Sequence, residues 1–221
     1  MAEPGRVHGV VETVLGTVGT ATRLRVPAEL RALTLLFGAA VWKRDTEDPQ
    51  RKLVLLQYRD GNYTNYVRER ARFHALDFSL EILNTSRQDG QLYEYTVSKG
   101  PEEEVWRIQL EVYEPVSAPS IQILSWVLAN GTCSITLNCT AERGDSISYS
   151  WGSAGTGGTS GPCSRNGSLL PLAFPLHSSS ISCSCTASNP VSTHSRTFSS
   201  SQCSREQAGS AGLGLLVLVP V

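Results

Sequence analysis

Residues 130–139, NGTCSITLNC, decide the fold of the second half of the chain. Side chains alternate between the two faces of a strand, so Cys133, Ile135, Leu137 and Cys139 share one face and Asn138 lies on the other. One face therefore predicts a core with thiols that can form disulfides, and the other predicts a solvated surface. Both cysteines need partners elsewhere in the chain.

The cysteines that follow indicate an immunoglobulin-like sandwich. The chain has six cysteines, all between positions 133 and 203, and an even number in one region predicts a disulfide framework. Cys139 is followed by Trp151 and then by Cys185. This is the order in which an immunoglobulin sandwich packs a buried tryptophan against the bridge between its sheets. We therefore predict a core disulfide between Cys139 and Cys185.

The remaining cysteines leave one pairing favoured and one open. Cys133 begins the same strand as Cys139 and needs a partner near the other end of the fold, where Cys203, just after the last strand, fits. Cys163 and Cys183 either form a third bridge or remain free thiols. A zinc site is the competing interpretation, but the C-x-x-C pairs typical of zinc sites are absent.

Glycosylation signals predict a cell-surface or secreted protein. Five N-x-S/T sequons accompany the clustered cysteines, at Asn62, Asn84, Asn130, Asn138 and Asn166. The amino terminus lacks the continuous apolar core of a signal peptide, so either this start is incomplete or mispredicted, which we favour, or the chain is cytosolic. The chain ends in an apolar run shorter than the roughly 20 residues of a membrane helix. We interpret this run as a truncated membrane segment or a lipid-anchor signal.

Composition and motifs exclude several functional classes. The 19 basic and 20 acidic residues give a net charge of −1, which offers no excess of cations for a nucleic-acid backbone. The sequence has no G-x-S-x-G elbow, no phosphate-binding loop and no H-E-x-x-H. A Cys–His nucleophile is the remaining enzymatic alternative, and cysteines confined to one sandwich favour disulfides over it. We predict a protein that is not an enzyme and uses no cofactor or metal ion.

Strand-like segments separated by turn residues recur along the chain. They are VETVLG, ATRLRV, LTLLFGAAVW, KLVLLQY, FSLEIL, LYEYTV, VWRIQLEVY, SIQIL, CSITLNC, SISYSW, LLPLAF and CSCTAS. Their spacing of about 8–12 residues suits an all-β fold. Pro115 and Pro119 mark a boundary, because proline lacks a backbone donor. We predict two tandem immunoglobulin-like sandwiches at 1–114 and 120–204, with a linker at 115–119 and an apolar tail at 205–221.

The first domain repeats the sandwich pattern without thiols. Trp42 in AVWKRD is the candidate core tryptophan. The stretch SRQDGQLYEY resembles the D-x-G-x-Y-x-C signature, with Tyr95 at the cysteine position and Tyr93 as the corner tyrosine. The long interval before this signature predicts the extra strands of a variable-type domain.

These features together resemble the signalling lymphocytic activation molecule (SLAM) family of immune-cell receptors. The resemblance rests on VWRIQLEVYEPV, NGTCSITLNCTAERGDSISYSW, CTASNPVS and the late SQC, which cover much of residues 78–203. It implies a variable-type domain without a disulfide, a constant-type domain with two, and adhesion between leukocytes through the same protein or a related one. The family's T-x-Y-x-x-[VI] signalling motif is absent from the sequence. Alternatives are a truncated receptor, a soluble decoy and a lipid-anchored ligand.

Strand alternation in the first domain predicts a contact surface. With Trp42, Tyr93 and Tyr95 inside, the neighbouring residues of the same strands point outward. The resemblance implies that this sheet meets the partner, and we assign to it Lys43, Glu94, Thr96, Arg107 and Gln109. Lys99 is assigned with them from the acidic turn KGPEEE at 99–104, which is either the tip of this surface or an ordinary polar hairpin. Mixed charges on a flat sheet suit a specific and rapidly formed contact.

Overall fold

The computed structural model describes residues 11–48, 50–153, 161–175 and 181–199. The chain divides into two compact units, 1–114 and 115–221, and each contains two β-sheets. The architecture is all-β, with two tandem immunoglobulin-like sandwiches as the sequence predicts. Cys203, the tail at 205–221 and the first ten residues lie outside the described residues.

The described residues of the first unit, 11–48 and 50–114, form nine strands, one α-helix and a short 3-10 turn. The elements are β1 (Val11–Thr17), β2 (Thr22–Leu24), α1 (Ala28–Phe37), β3 (Ala39–Asp45), β4 (Lys52–Arg59), β5 (Asn62–Asn65), β6 (Ala71–His74), β7 (Ser79–Ile82), the turn Arg87–Asp89, β8 (Leu92–Lys99) and β9 (Glu102–Tyr113). The larger sheet has the order β1-β9-β8-β3-β4-β5, and the smaller has the order β2-β7-β6. Strand β1 runs parallel to β9, and the other pairs are antiparallel. The extra strands β4 and β5 give the larger sheet the variable-type arrangement.

The connection between β2 and β3 is a helix, so the strand prediction for LTLLFGAAVW is wrong over most of its length. α1 follows Pro27 and ends at Gly38, whose φ of 74° is the left-handed conformation that glycine adopts easily. Leu30 and Leu33 pack against the core of the unit. The leucines follow a helical period, and only AAVW lies in β3.

An aromatic core joins the two sheets of the first unit. Trp42 and Tyr95 are fully buried, with ring centroids 5.1 Å apart. The Trp42 indole N–H donates to the carbonyl oxygen of Phe78 at 2.9 Å. The Tyr93 hydroxyl donates to the carbonyl oxygen of Asp89 at 2.9 Å, which is the corner contact expected from SRQDGQLYEY. Aromatic packing occupies the place of an inter-sheet disulfide here.

Seven strands are formed by the part of the second unit that the structure describes. They are β10 (Ser120–Ala129), β11 (Thr132–Thr140), β12 (Ser148–Ser153), β13 (Arg165–Asn166), β14 (Leu169–Pro175), β15 (Ser182–Asn189) and β16 (Ser192–Ser199). One sheet has the order β10-β11-β14 and the other has the order β13-β12-β15-β16. The two-residue turn between β10 and β11 is Asn130–Gly131, and both residues have positive φ, as a tight hairpin requires.

Disulfides and a tryptophan form the core of the second unit. Cys139 and Cys185 are bridged with their Cα atoms 6.5 Å apart, and Trp151 beside them is 4% exposed. Cys163 and Cys183, which the sequence left open, are also bridged, with a Cα–Cα distance of 5.5 Å. Cys133 is fully buried and disulfide-bonded. Its expected partner, Cys203, lies outside the described residues, so this pairing stays a prediction.

Candidate functional site

The larger sheet of the first unit has a face directed away from the aromatic core, which we call the outer face. Residues paired across neighbouring strands point to the same side of a sheet. The register pairs Lys43 with Glu94 and Glu94 with Arg107, so these three predicted contact residues share the outer face. Gln109 lies one step further along β9, two residues from Arg107, and is half-buried. Thr96 lies two residues from Glu94 on β8, so five of the six residues assigned from the sequence share this face.

Ion pairs connect the strands at the centre of the outer face. The Glu94 carboxylate accepts a hydrogen bond from Arg107 Nε at 3.0 Å and lies 2.6 Å from Lys52 Nζ. Lys52 Nζ also lies 3.5 Å from the Asp45 carboxylate. Burial alone raises the pKa of Glu94, but the hydrogen bonds from Lys52 and Arg107 outweigh it and hold that pKa below its ordinary value of 4.5. Glu94 is thus held as a carboxylate that fixes two cations on the surface.

The expectation that Glu94 and Thr96 are exposed is wrong. Their exposed fractions are 6% and 4%, although both lie on the outer face. The side chains of Lys52 and Arg107, which remain 40% and 43% exposed, cover Glu94. Thr96 is paired with a valine on each side, and β8 lies in the interior of the sheet. Both residues therefore support the outer face from beneath and do not form its contact layer.

Lys99 also departs from its assignment. It is exposed but shares the orientation of Tyr95 and Val97, so it does not belong to the outer face. Its ammonium nitrogen lies 5.2 Å from the centroid of the Phe37 ring at the end of α1. This cation–π contact places Lys99 at one end of the unit, beside the helix.

The charges on the outer face are unevenly distributed. The outer sides of β3 and β4 carry three cations and one carboxylate, which are Lys43, Lys52, Arg59 and Asp45. On β8 and β9 the face exposes the carboxylates of Glu103 and Glu111 beside the guanidinium of Arg107, while Glu94 is buried beneath Lys52 and Arg107. One half of the face is therefore cationic and the neighbouring half is anionic.

Apolar side chains lie at the edge of the anionic half. Val11 and Leu15 of β1 are 43% and 46% exposed, and Val105 of β9 is 36% exposed. The parallel register places Val11 opposite Arg107 and Leu15 opposite Glu111, which puts both apolar residues on the outer face. Exposed apolar groups beside charged ones are typical of a surface that contacts another protein.

The two sequons of the first unit have different positions. Asn84 is exposed after the end of β7, in the smaller sheet. Asn62 is exposed in β5, at the edge of the larger sheet, and its partner in the register is Arg59 of the outer face. A glycan on Asn62 would therefore border the outer face on its cationic side, outside the strands of the predicted contact.

Sequence reasoning missed Lys52 and Asp45 because of a bulge between β3 and β4. Trp42 pairs with Leu56, whereas the next residue, Lys43, pairs with Val54. Leu55 is the extra residue, and both it and Leu56 are buried. Simple alternation along KLVLLQY cannot reveal which of its residues reach Glu94.

The described residues contain neither a free thiol nor a cluster of metal-binding side chains. Every cysteine in the described part of the chain is disulfide-bonded, so none of these supplies a nucleophilic thiol. The same residues contain no cluster of histidine, cysteine and carboxylate side chains suited to a metal ion. None of the helices within them has the length and apolar character needed to cross a bilayer.

Comparisons with known proteins agree with this architecture. No family model matches the chain. It is 30% identical over 196 residues to the signaling lymphocytic activation molecule of Canis lupus familiaris, covering 88% of this chain and 55% of that protein. It is 34% identical over 163 residues to the mouse (Mus musculus) protein of the same name, covering 72% of this chain and 47% of that protein. The chain thus spans about half the length of these relatives.

A solved structure shows the same fold. The CD2-binding domain of CD58 (lymphocyte function-associated antigen 3) superimposes with a TM-score of 0.55 at 17% identity, covering 85% of this chain and 96% of that one. Fold and disulfides define the class, a protein of the immunoglobulin superfamily with two tandem domains. Within this class, the sequence relatives show that the chain belongs to the SLAM family.

Proposed function

We propose that this chain is the recognition part of an immune cell-surface adhesion receptor. It binds a second copy of itself, or a related immunoglobulin-family protein, through the outer face of the first unit. The observation that carries the proposal is the division of this face into cationic and anionic halves, bordered by exposed Val11 and Leu15. SLAM-family relatives support a cell-surface role of this kind.

The charge pattern favours a partner with the same pattern. In a two-fold contact whose axis runs along the strands, β9 of one copy lies over β3 and β4 of the other. The anionic half of each copy then lies over the cationic half of the other, so the same favourable contact forms twice in the dimer. Complementary charges of this kind accelerate association and select the register of the contact.

Glycan positions are compatible with this use of the first unit. Asn84 lies beyond the smaller sheet, and Asn62 borders the outer face only at its edge strand. The second unit contains three sequons, at Asn130, Asn138 and Asn166. Bulky sugars therefore leave more of the first unit open to a partner than of the second.

The proposal is tested by reversing a charge in the contact layer. Lys43 is half-buried on β3 and belongs to the cationic half, so Lys43→Glu replaces an attraction by a repulsion. A change of about 1 kcal/mol per charge pair, made twice in a two-fold contact, corresponds to about a thirtyfold weaker self-association. The measurement is the dissociation constant of the full chain by sedimentation equilibrium, accompanied by aggregation of beads coated with the chain.

The control is Arg25→Glu, which makes the same charge change at an exposed residue after β2 of the smaller sheet. It is expected to leave binding unchanged. The register brings Glu103 of one copy to the level of Arg59 of the other, so beads coated with Arg59→Glu should bind beads coated with Glu103→Lys better than either variant binds itself. If Lys43→Glu and Arg25→Glu changed the dissociation constant equally, the outer face would not be the binding site. If the chain bound a related receptor but not itself, the partner would be a related immunoglobulin-family protein and not a second copy.

A further inference from the structure

One sheet of the second unit has a face without charge. The sides of β10, β11 and β14 that point away from the core carry, among others, Ser125, Val127, Ser134, Thr136, Leu169 and Pro171. Within these three strands, all of which are described, no Asp, Glu, Lys or Arg occurs. We call this surface the uncharged face. Val127 is 60% exposed and Leu169 is 45% exposed.

The edge strands of this sheet are a second reason to expect that another group covers the uncharged face. Both β10 and β14 are edge strands of their sheet. Edge strands of soluble proteins usually carry charges or prolines that discourage association with other chains. Pro171 and Pro175 protect β14 in this way. Strand β10 has a bulge at Leu124, but this residue is apolar and 56% exposed.

A sequon lies within the uncharged face itself. Asn138 is in β11, the middle strand, and its neighbour Cys139 points into the core. Its partners in the register are Gln122 on one side and Leu169 on the other. Neighbouring strands are about 5 Å apart, and residues two positions apart along a strand are about 7 Å apart. The first sugar rings attached to Asn138 can therefore reach Leu169, Pro171 and Thr136.

We propose that the N-linked oligosaccharide on Asn138 lies along the uncharged face and covers it. The C–H faces of its N-acetylglucosamine rings pack on Leu169 and Pro171, and its hydroxyl groups hydrogen-bond to the side chains of Ser134 and Thr136. An uncharged face with interspersed hydroxyls matches the chemistry of a neutral sugar. The inference requires the secretory route of the proposed function, but it does not depend on the contact made by the first unit.

The other two sequons of the second unit are less suited to this role. Asn130 lies in the hairpin turn beyond the ends of β10 and β11. Asn166 lies in β13, which belongs to the other sheet. It is exposed there and provides a matched control.

The test uses the full chain secreted from mammalian cells with isotope-labelled N-acetylglucosamine. Nuclear Overhauser contacts are expected between an N-acetyl methyl group and the methyl groups of Leu169. In addition, Asn138→Gln should increase the fluorescence of the dye anilinonaphthalene sulfonate, which binds exposed apolar surface, whereas Asn166→Gln should not. Both measurements compare changes in the second unit only. A failure of the glycan proposal can therefore be distinguished from a failure of the proposed binding by the first unit.

Three outcomes overturn the inference. Mass spectrometry that finds no sugar on Asn138 overturns it directly. Sharp sugar signals without contacts to Leu169 mean that the glycan points into solvent. Equal dye binding by Asn138→Gln and Asn166→Gln means that something else, such as a second copy of the chain, covers the face. The Overhauser measurement uses the unmodified chain and stays decisive even if Asn138→Gln fails to fold.

Discussion

Replacing Glu94 by glutamine removes the charge at the centre of the outer face and keeps the shape of the side chain. Glu94 lies between Lys52 Nζ at 2.6 Å and Arg107 Nε at 3.0 Å, and its side chain is 8% exposed. Lys52 and Arg107 bind different oxygens of the carboxylate, and glutamine replaces one of these oxygens by an amide group that only donates. One contact is therefore lost, and the other keeps only a neutral acceptor. The two cations remain on the surface and can be hydrated again.

The expected loss follows from these contacts. A hydrogen bond to a charged group contributes about 1.5–3 kcal/mol, against about 0.5–1.5 kcal/mol for a neutral one. The contact that is lost forfeits its whole contribution and the other loses about 1 kcal/mol, and the 40% and 43% exposure of Lys52 and Arg107 reduces both losses by screening. We expect Glu94→Gln to lower the free energy of unfolding of the first unit by about 1–2 kcal/mol at pH 7.

The effect should depend on pH in a defined direction. The pKa of Glu94 in the folded chain is lower than its ordinary value of 4.5. A carboxylate with a lowered pKa stabilises the fold fully above its unfolded pKa, and this stabilisation is lost as the pH falls through the folded pKa. The difference between the wild type and Glu94→Gln should therefore be constant above about pH 5 and shrink on further acidification.

Hydrogen exchange of the backbone amides of β8 measures this free energy within the full chain. The control is Glu103→Gln, which removes a carboxylate from an exposed position of β9 and should change the free energy by less than about 0.5 kcal/mol. The reasoning is refuted if Glu94→Gln loses no more than this control. It is refuted equally by a loss that stays constant from neutral to acid pH.

Three further predictions concern the cores and the remaining disulfide. Trp151→Ala should lower the stability of the second unit by about 3–5 kcal/mol, measured on the amides of β15, because the side chain is 4% exposed. Trp126 is 36% exposed, so Trp126→Ala should lower the stability of the second unit clearly less than Trp151→Ala does. Equal losses would contradict the burial of Trp151 in the core. Tyr93→Phe removes the buried hydrogen bond of the corner tyrosine and should lower the free energy of unfolding, measured by hydrogen exchange of β8, by about 1 kcal/mol. An unchanged free energy would show that this hydrogen bond does not stabilise the unit. Peptide mapping without reduction should join Cys133 to Cys203, and another partner for Cys133 would show the assignment to be wrong.

The fold could be predicted largely from local pattern. Cys133, Leu137 and Cys139 share one face of β11 and are all buried, as their spacing predicts. Trp151 lies beside the core bridge, as its place between Cys139 and Cys185 indicates. These predictions succeed because a strand alternates its faces residue by residue, whatever it packs against.

The helix α1 shows where local pattern is ambiguous. A short apolar run such as LTLLF suits a strand or a buried helix, and its composition does not separate the two. The run becomes a helix because Leu30, Leu33 and the buried hydroxyl of Thr34 fit over the end of the core, where Thr34 Oγ1 lies 2.8 Å from the Tyr95 hydroxyl. That fit exists only after β3 and β8 have paired.

The sequence by itself determined which side of β3, β8 and β11 faces the core, the Cys–Trp–Cys order of the second unit and the division into two sandwiches. Only the tertiary structure decided which outward residues reach solvent. Glu94 points outward by alternation, yet Lys52 covers it from β4, a strand whose register is shifted by the bulge at Leu55. The structure likewise paired Cys163 with Cys183. Orientation is a property of one strand, whereas exposure and pairing depend on neighbours that are distant in the chain.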